Sequence, residues 1–144
     1  AHDCKVGNNV IMANNATLAG HVHIGSFTVI GGMTPIHQFV HVGEGVMIGG
    51  ASAVSQDIPH FCLAEGNRAV IRGLNSVGLK RRFAKEDIVA IQSAYRALFR
   101  SDKPIKETAA ELIVNSANEK VVQMCHFIME SKRGIPFERK NNGE

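Results

Sequence analysis

Little in this sequence belongs to a secreted or membrane-spanning protein. The three cysteines, Cys4, Cys62 and Cys125, are odd in number and widely spaced, which argues against a disulfide framework. No apolar run approaches the roughly 18 residues that a membrane-spanning helix needs, and no secretion signal is visible. A reducing, cytoplasmic setting is therefore expected. Excess charge is also small, a formal +3, and the densest basic run is Lys80-Arg81-Arg82. With no recognised motif, reading helix or stacking platform, nucleic acid is not an expected partner.

What the chain does have is a period of six. Val6, Met12, Leu18, Ile24, Ile30, Ile36, Val42, Ile48 and Val54 recur at every sixth position, usually followed by glycine, alanine or serine. Neither a helix nor a simple strand produces that register. It fits a solenoid in which six residues make one side of a triangular coil and about 18 make a full turn. A second set two residues earlier, including Val10, Ala16, Val22, Thr28, Thr34, Val40, Val46 and Ser52, is small or β-branched. Residues two apart on a strand share a face, so both sets are expected to point into the prism. Spacing alone does not fix the hand of the coil. The repeat is already in register at Ala1, so the chain is expected to be a carboxy-terminal fragment of a longer solenoid.

The pattern changes near residue 64. Three amphipathic segments follow: Asp87 to Leu98, Ile105 to Ile113, and Val121 to Met129. Pro104 suits a first helical turn, Asn115 to Asn118 breaks the second segment from the third, and Arg133-Gly134 with Pro136 ends the third. The division expected is a solenoid over 1–64 and a helical domain over 65–144, with a polar, frayed tail from Glu138 to Glu144. The flat outer faces of so short a prism, with Phe27, Val29, Phe39 and Met47 outside the inward sets, favour a closed symmetric oligomer.

Six of the seven histidines lie in the solenoid or at its exit. An 18-residue coil stacks His2, Gly20 and Gln38 in one column, Asp3, His21 and Phe39 in the next, and Lys5, His23 and His41 in a third. The first two columns hold the parts of an acyl-transfer site. An imidazole can take a proton from a hydroxyl nucleophile, a neighbouring carboxylate can fix its tautomer, and a glycine amide can hold an oxyanion. A bland reading treats these as tolerated corner residues. A zinc site on His23 and His41 is disfavoured because Lys5 occupies the third stacked position, so no metal is expected. Asn75 could cap a short helix through Gly78 to Arg82, and Arg81 or Arg82 would then project toward the coils, pairing with phosphate or with a carboxylate.

The stretches Ala1-His2-Asp3-Cys4, Ala13-Asn14-Asn15-Ala16-Thr17-Leu18-Ala19-Gly20-His21, His37-Gln38-Phe39, Glu65-Gly66-Asn67 and Gly78-Leu79-Lys80-Arg81-Arg82 together resemble the UDP-N-acetylglucosamine O-acyltransferase family of lipid A biosynthesis. The resemblance implies an all-β solenoid plus α architecture, a left-handed parallel β-helix followed by a small helical domain, assembled as a homotrimer. It implies transfer of a 3-hydroxyacyl chain from acyl carrier protein to the 3-hydroxyl of UDP-N-acetylglucosamine, with no enzyme cofactor because the prosthetic arm belongs to the carrier. Carried over by position, His2 is the general base, Asp3 its orienting partner, and Gly20 the oxyanion donor. His21, His37 and Gln38 line the donor or sugar-nucleotide pocket, Asn75 and Arg81 contact the nucleotide, and Gly50 marks where acyl length is read. Val77 departs from the family, in which that position can be acidic. Two related readings use the same solenoid, an acetyl-coenzyme A-dependent O-acetyltransferase and a lipid A N-acyltransferase. A purely structural trimer would need none of the His-Asp arrangement.

Overall fold

The computed structural model describes residues 1–138, so the expected fraying of the tail beyond Glu138 lies outside the described residues. Eight two-residue strands follow the hexads: β1 (Lys5–Val6), β2 (Ile11–Met12), β3 (Thr17–Leu18), β4 (His23–Ile24), β5 (Val29–Ile30), β6 (Pro35–Ile36), β7 (His41–Val42) and β8 (Met47–Ile48). They pair in parallel with their equivalents one coil on, giving β1-β4-β7 on one face, β2-β5-β8 on the second and β3-β6 on the third. The result is a left-handed parallel β-helix of about three turns followed by a small helical bundle.

The period of six reflects one repeated backbone event. Asp3, Asn9, Asn15, His21, Phe27, Met33, Phe39, Gly45 and Ala51 all have φ between 54° and 67°, so every sixth residue turns a corner in the left-handed region. A residue with a Cβ gives up on the order of 1–2 kcal/mol there, and the inter-coil ladder offsets it. From His21 onward each corner amide reaches the preceding coil: His21 N–H donates to the His2 carbonyl at 3.0 Å and Phe39 N–H to the Gly20 carbonyl at 3.1 Å. Inside the prism, Val22, Thr28, Thr34, Val40 and Val46 are completely buried, as the second inward set requires. The hydroxyls do not go unpaired, since Thr28 Oγ1 donates to the Gly43 carbonyl at 2.8 Å and accepts from Val46 N–H at 3.2 Å. Burial of the large inward column rises along the prism, from 49% exposure at Val6 to 3% at Ile24 and Val42.

The sheet does not stop with the hexads. β9 (Cys62–Glu65) pairs in parallel with β8 and β10 (Val70–Leu74) returns antiparallel to β9, with a register shift between Ile71 and Gly73. This hairpin, absent from the sequence expectation, carries the chain from prism to helices. Four helices follow: α1 (Ser76–Arg82), α2 (Lys85–Phe99), α3 (Ile105–Asn115) and α4 (Glu119–Glu130). α2 buries Ile91, Tyr95 and Leu98 and α4 buries Val121, Met124, Cys125 and Ile128, the spacing of one apolar face. Asn118 caps α4, its Oδ1 accepting from Lys120 N–H and Val121 N–H at 3.0 and 3.2 Å. α4 ends at Glu130, a turn before the expected stop at Arg133-Gly134, and Pro104 is the N-cap of α3 rather than a residue of its first turn. No helix among the described residues is long and apolar enough to cross a membrane.

Candidate active site

The corner formed by residues 2–3, 20–21 and 38–39 brings the histidine columns together as their spacing requires. Left-handed turns at Asp3, His21 and Phe39 direct the side chains outward. His2 Nδ1 lies 3.0 Å from Asp3 Oδ2, and His21 Nε2 lies 3.8 Å from the same oxygen. The His2 and His21 rings meet edge to face at 5.0 Å, while Phe39 stacks flat on His21 at 4.8 Å and 2°. The donor atoms of His2, Asp3 and His21 all lie within 4.8 Å of one another.

Gly20 stands directly over this cluster. A Cβ added there would lie 3.2 Å from both Cε1 and Nε2 of His2, so the missing side chain makes room for the imidazole. The residue is buried rather than open, because the His2 ring lies against it. Its amide nevertheless makes no hydrogen bond among the described residues. An imidazole positioned by a carboxylate beside an unpartnered backbone N–H is an arrangement suited to proton abstraction and oxyanion stabilisation.

Around the corner, His37, Gln38 and Phe39 line an open cleft of about 590 Å³ with Thr17, Pro35 and Arg133. Sequence reasoning missed Arg133. It arrives from beyond α4, held by Nε donating to the Ser55 carbonyl at 3.1 Å while its own carbonyl accepts from Gln56 Nε2 at 3.0 Å. Phe39, expected in one column with Asp3 and His21 and as an outward apolar residue, proves to be the platform against which His21 stacks.

The remaining candidates lie elsewhere on the prism. Gly50 belongs to the corner with Gly32, where an added Cβ would meet the Gly32 carbonyl oxygen at an ordinary 3.5 Å. Asn75 and the basic run lie at the third corner, that of residues 8–9, 26–27 and 44–45. Asn75 is 6% exposed and both ends of its amide are engaged: Nδ2 donates to the Gly45 carbonyl at 3.0 Å and Oδ1 caps α1 by accepting from Gly78 N–H at 3.2 Å. Of the two arginines, Arg82 turns back to the coils, its guanidinium 3.6 Å from the Phe27 ring centre and 3.6 Å from Glu44 Oε1, whereas Arg81 is exposed. Val77 is exposed beside them. A further cleft of about 660 Å³, lined by Ser76, Gln92, Tyr95, Arg96, Arg100 and Asp102, opens between β10, α1 and α2.

Close by, the His60 imidazole is wedged between Phe61 and Phe127, and burial lowers its pKa from 6.5 to about 4. On the flat face, His23 and His41 stack at 4.3 Å, and the pKa of His23 is lowered by burial and by the neighbouring His41 and Lys5. Burial pushes the thiols of Cys62 and Cys125 up, the latter to about 11, which leaves both unreactive as thiolates.

Comparison with known proteins converges on one family. Residues 57–136 match the model described as UDP-N-acetylglucosamine O-acyltransferase, domain 2. The chain is 60% identical over 141 residues to an acyl-[acyl-carrier-protein]–UDP-N-acetylglucosamine O-acyltransferase of Aliarcobacter butzleri, covering 97% of this chain and 54% of that protein. The solved UDP-N-acetylglucosamine acyltransferase from Campylobacter jejuni superposes with a TM-score of 0.93 at 62% identity, covering 96% of this chain and 55% of that one. An Arabidopsis UDP-N-acetylglucosamine acyltransferase gives 0.87 at 38% identity, over 94% of this chain and 51% of that one. In place of the expected description as a carboxy-terminal fragment, the alignments show a match to this family along nearly the whole of this chain. It spans about half the length of the curated relatives it matches.

Proposed function

The chain belongs to the UDP-N-acetylglucosamine O-acyltransferase family, and from that premise we propose that the protein transfers a 3-hydroxyacyl chain from acyl carrier protein to the 3-hydroxyl of UDP-N-acetylglucosamine, the opening step of lipid A biosynthesis. The observation that carries this reading is the His2 imidazole seated against Gly20 with Asp3 at its Nδ1.

With Asp3 accepting from Nδ1–H, the His2 Nε2 lone pair is free to take the proton of the sugar 3-hydroxyl as that oxygen attacks the thioester carbonyl. The Gly20 N–H holds the tetrahedral oxyanion. Collapse breaks the carbon–sulfur bond, and the imidazolium returns its proton to the departing thiol of the carrier. No redox change and no enzyme cofactor are involved.

His21 lines the same pocket, and His37 and Gln38 contact the donor or the sugar nucleotide from the adjoining cleft. Arg81 pairs with nucleotide phosphate, Asn75 holds the segment that presents it, and Gly50 leaves room for a long acyl chain. Residues 1–64 form the catalytic prism in this reading, and 65–144 the helical domain. Because Asn75, Arg81 and Gly50 occupy other corners than His2, a homotrimer supplies the complete pocket from neighbouring prisms. Arg96 and Arg100, with Lys80 to Arg82, suit electrostatic steering of an acidic carrier. A cytoplasmic location fits carrier-bound substrates and the lack of a membrane-crossing helix among the described residues.

The test is donor and acceptor choice. Incubated with a carrier-bound 3-hydroxyacyl thioester and UDP-N-acetylglucosamine, the protein is expected to release the O-acylated sugar nucleotide, detected by mass. Transfer from acetyl-coenzyme A instead, or acylation only of an amino-sugar acceptor, would replace this function with one of the related acyltransferase activities.

A further inference from the structure

We propose that His2, Asp3 and His21 form a binding site for a borderline transition-metal cation, zinc above all, and that zinc seated there switches off the base at His2. The donor set is two imidazoles and one carboxylate, the composition of open zinc sites that complete their shell with water. Their donor atoms lie within 4.8 Å of one another, with the two carboxylate separations at 3.0 and 3.8 Å. Two ligands on a tetrahedral zinc, each about 2.0–2.1 Å from it, stand roughly 3.3 Å apart, so modest side-chain rotation closes the triad on an ion.

The site is also accessible and held in place. All three side chains are exposed by 41% or more, and an ion reaches them without opening the fold. The coils that carry them are pinned by the His21 N–H to His2 carbonyl bond, and the His21 ring is backed by Phe39. The other stacked pair, His23 and His41, has Lys5 in its column where a third ligand would be needed, and an ammonium repels a cation.

The inhibitory consequence rests on the function proposed above. A neutral imidazole carries one ring proton, and with that proton on Nδ1 facing Asp3 the lone pair on Nε2 can accept another. Zinc takes the Nδ1 lone pair, so the ring proton must reside on Nε2, and no lone pair remains for the sugar hydroxyl. No covalent bond in either substrate changes and no electron is transferred.

Zinc chloride titrated calorimetrically into the protein, without substrates, should give one site per chain. Affinity should fall tenfold or more in His21→Ala and Asp3→Asn, and stay unchanged in His23→Ala, with circular dichroism confirming each fold. His21→Gln, which keeps the bulk against Phe39, serves if His21→Ala fails to fold. Wild-type affinity in the His21 variants, or a loss that follows His23→Ala, would overturn the site and leave the acyl-transfer reading untouched. In the transfer assay, zinc should inhibit over the range that fills the site and chelation should restore the rate, while magnesium, which prefers oxygen ligands, should do neither. Full activity with the site loaded would overturn the tautomer step.

Discussion

At the corner of residues 2–3, 20–21 and 38–39 the side chains of His2, His21 and Phe39 stand in solvent, whereas at the corner of 8–9, 26–27 and 44–45 the chain returns and lays Arg82 over Phe27. The backbone is the same at both, with φ of 59°, 59° and 65° at Asp3, His21 and Phe39 against 57°, 63° and 67° at Asn9, Phe27 and Gly45. The side chains differ, and so does what covers them. At the covered corner the polar groups find partners from the helical segment: Glu44 meets Arg82 and the Gly45 carbonyl meets Asn75. At the open corner the polar side-chain atoms of His2, Asp3 and His21 pair with one another. A repeated scaffold thus makes equivalent positions, and the returning chain turns one into a structural joint while leaving the other open to solvent.

Substitutions should separate those two uses. His2→Ala should lower the transfer rate about 10³-fold, roughly 4 kcal/mol on the barrier, with little change in melting temperature because the side chain is exposed. Parallel rate and thermal measurements check it, and a large loss of stability would make His2 structural.

Beside the covered corner, His60 should make stability pH-dependent. Burial holds its pKa at about 4 against 6.5 for a free imidazole, so between those values the unfolded chain binds a proton that the folded chain refuses. The contribution is intact above pH 6.5, is lost progressively as pH falls toward 4, and amounts to about 3 kcal/mol in all. Denaturant melts across that range should show the slope, and His60→Leu should flatten it.

Asn75→Ala removes a helix cap and leaves the Gly45 carbonyl without its donor, a cost of about 2 kcal/mol visible as a lower denaturation midpoint. If nucleotide affinity falls in the variant while the protein is still fully folded, Asn75 also contacts the ligand. The smallest effect is expected from Gly20→Ala, whose added methyl would press on His2 at 3.2 Å. A shift of a few tenths of an ångström in the base should cost about tenfold in kcat, near 1.4 kcal/mol, with KM nearly constant. An unchanged kcat would show that the contact does not position the imidazole.

Much of the open corner was legible because a six-residue period is a local signal: adding 18 to His2 and Asp3 places Gly20 and His21 above them without knowledge of any distant contact. The helices were legible for the same reason, through apolar spacing, the Asn75 cap and the break at Asn115 to Asn118. The rest depends on contacts that sequence spacing does not encode. The β9–β10 hairpin owes its register to pairing with β8. Arg133 reaches the His37 cleft through bonds to Ser55 and Gln56, more than 70 residues away. The choice of Arg82 over Arg81 to face the coils is fixed by Phe27 and Glu44, which belong to another part of the chain.

The most direct measurement is a crystal structure of the protein with the O-acylated UDP-N-acetylglucosamine bound. The account predicts the sugar 3-oxygen about 3 Å from His2 Nε2 and the ester carbonyl oxygen within hydrogen-bond reach of the Gly20 N–H. An acylated sugar seated at another corner, with His2 facing water, would contradict it.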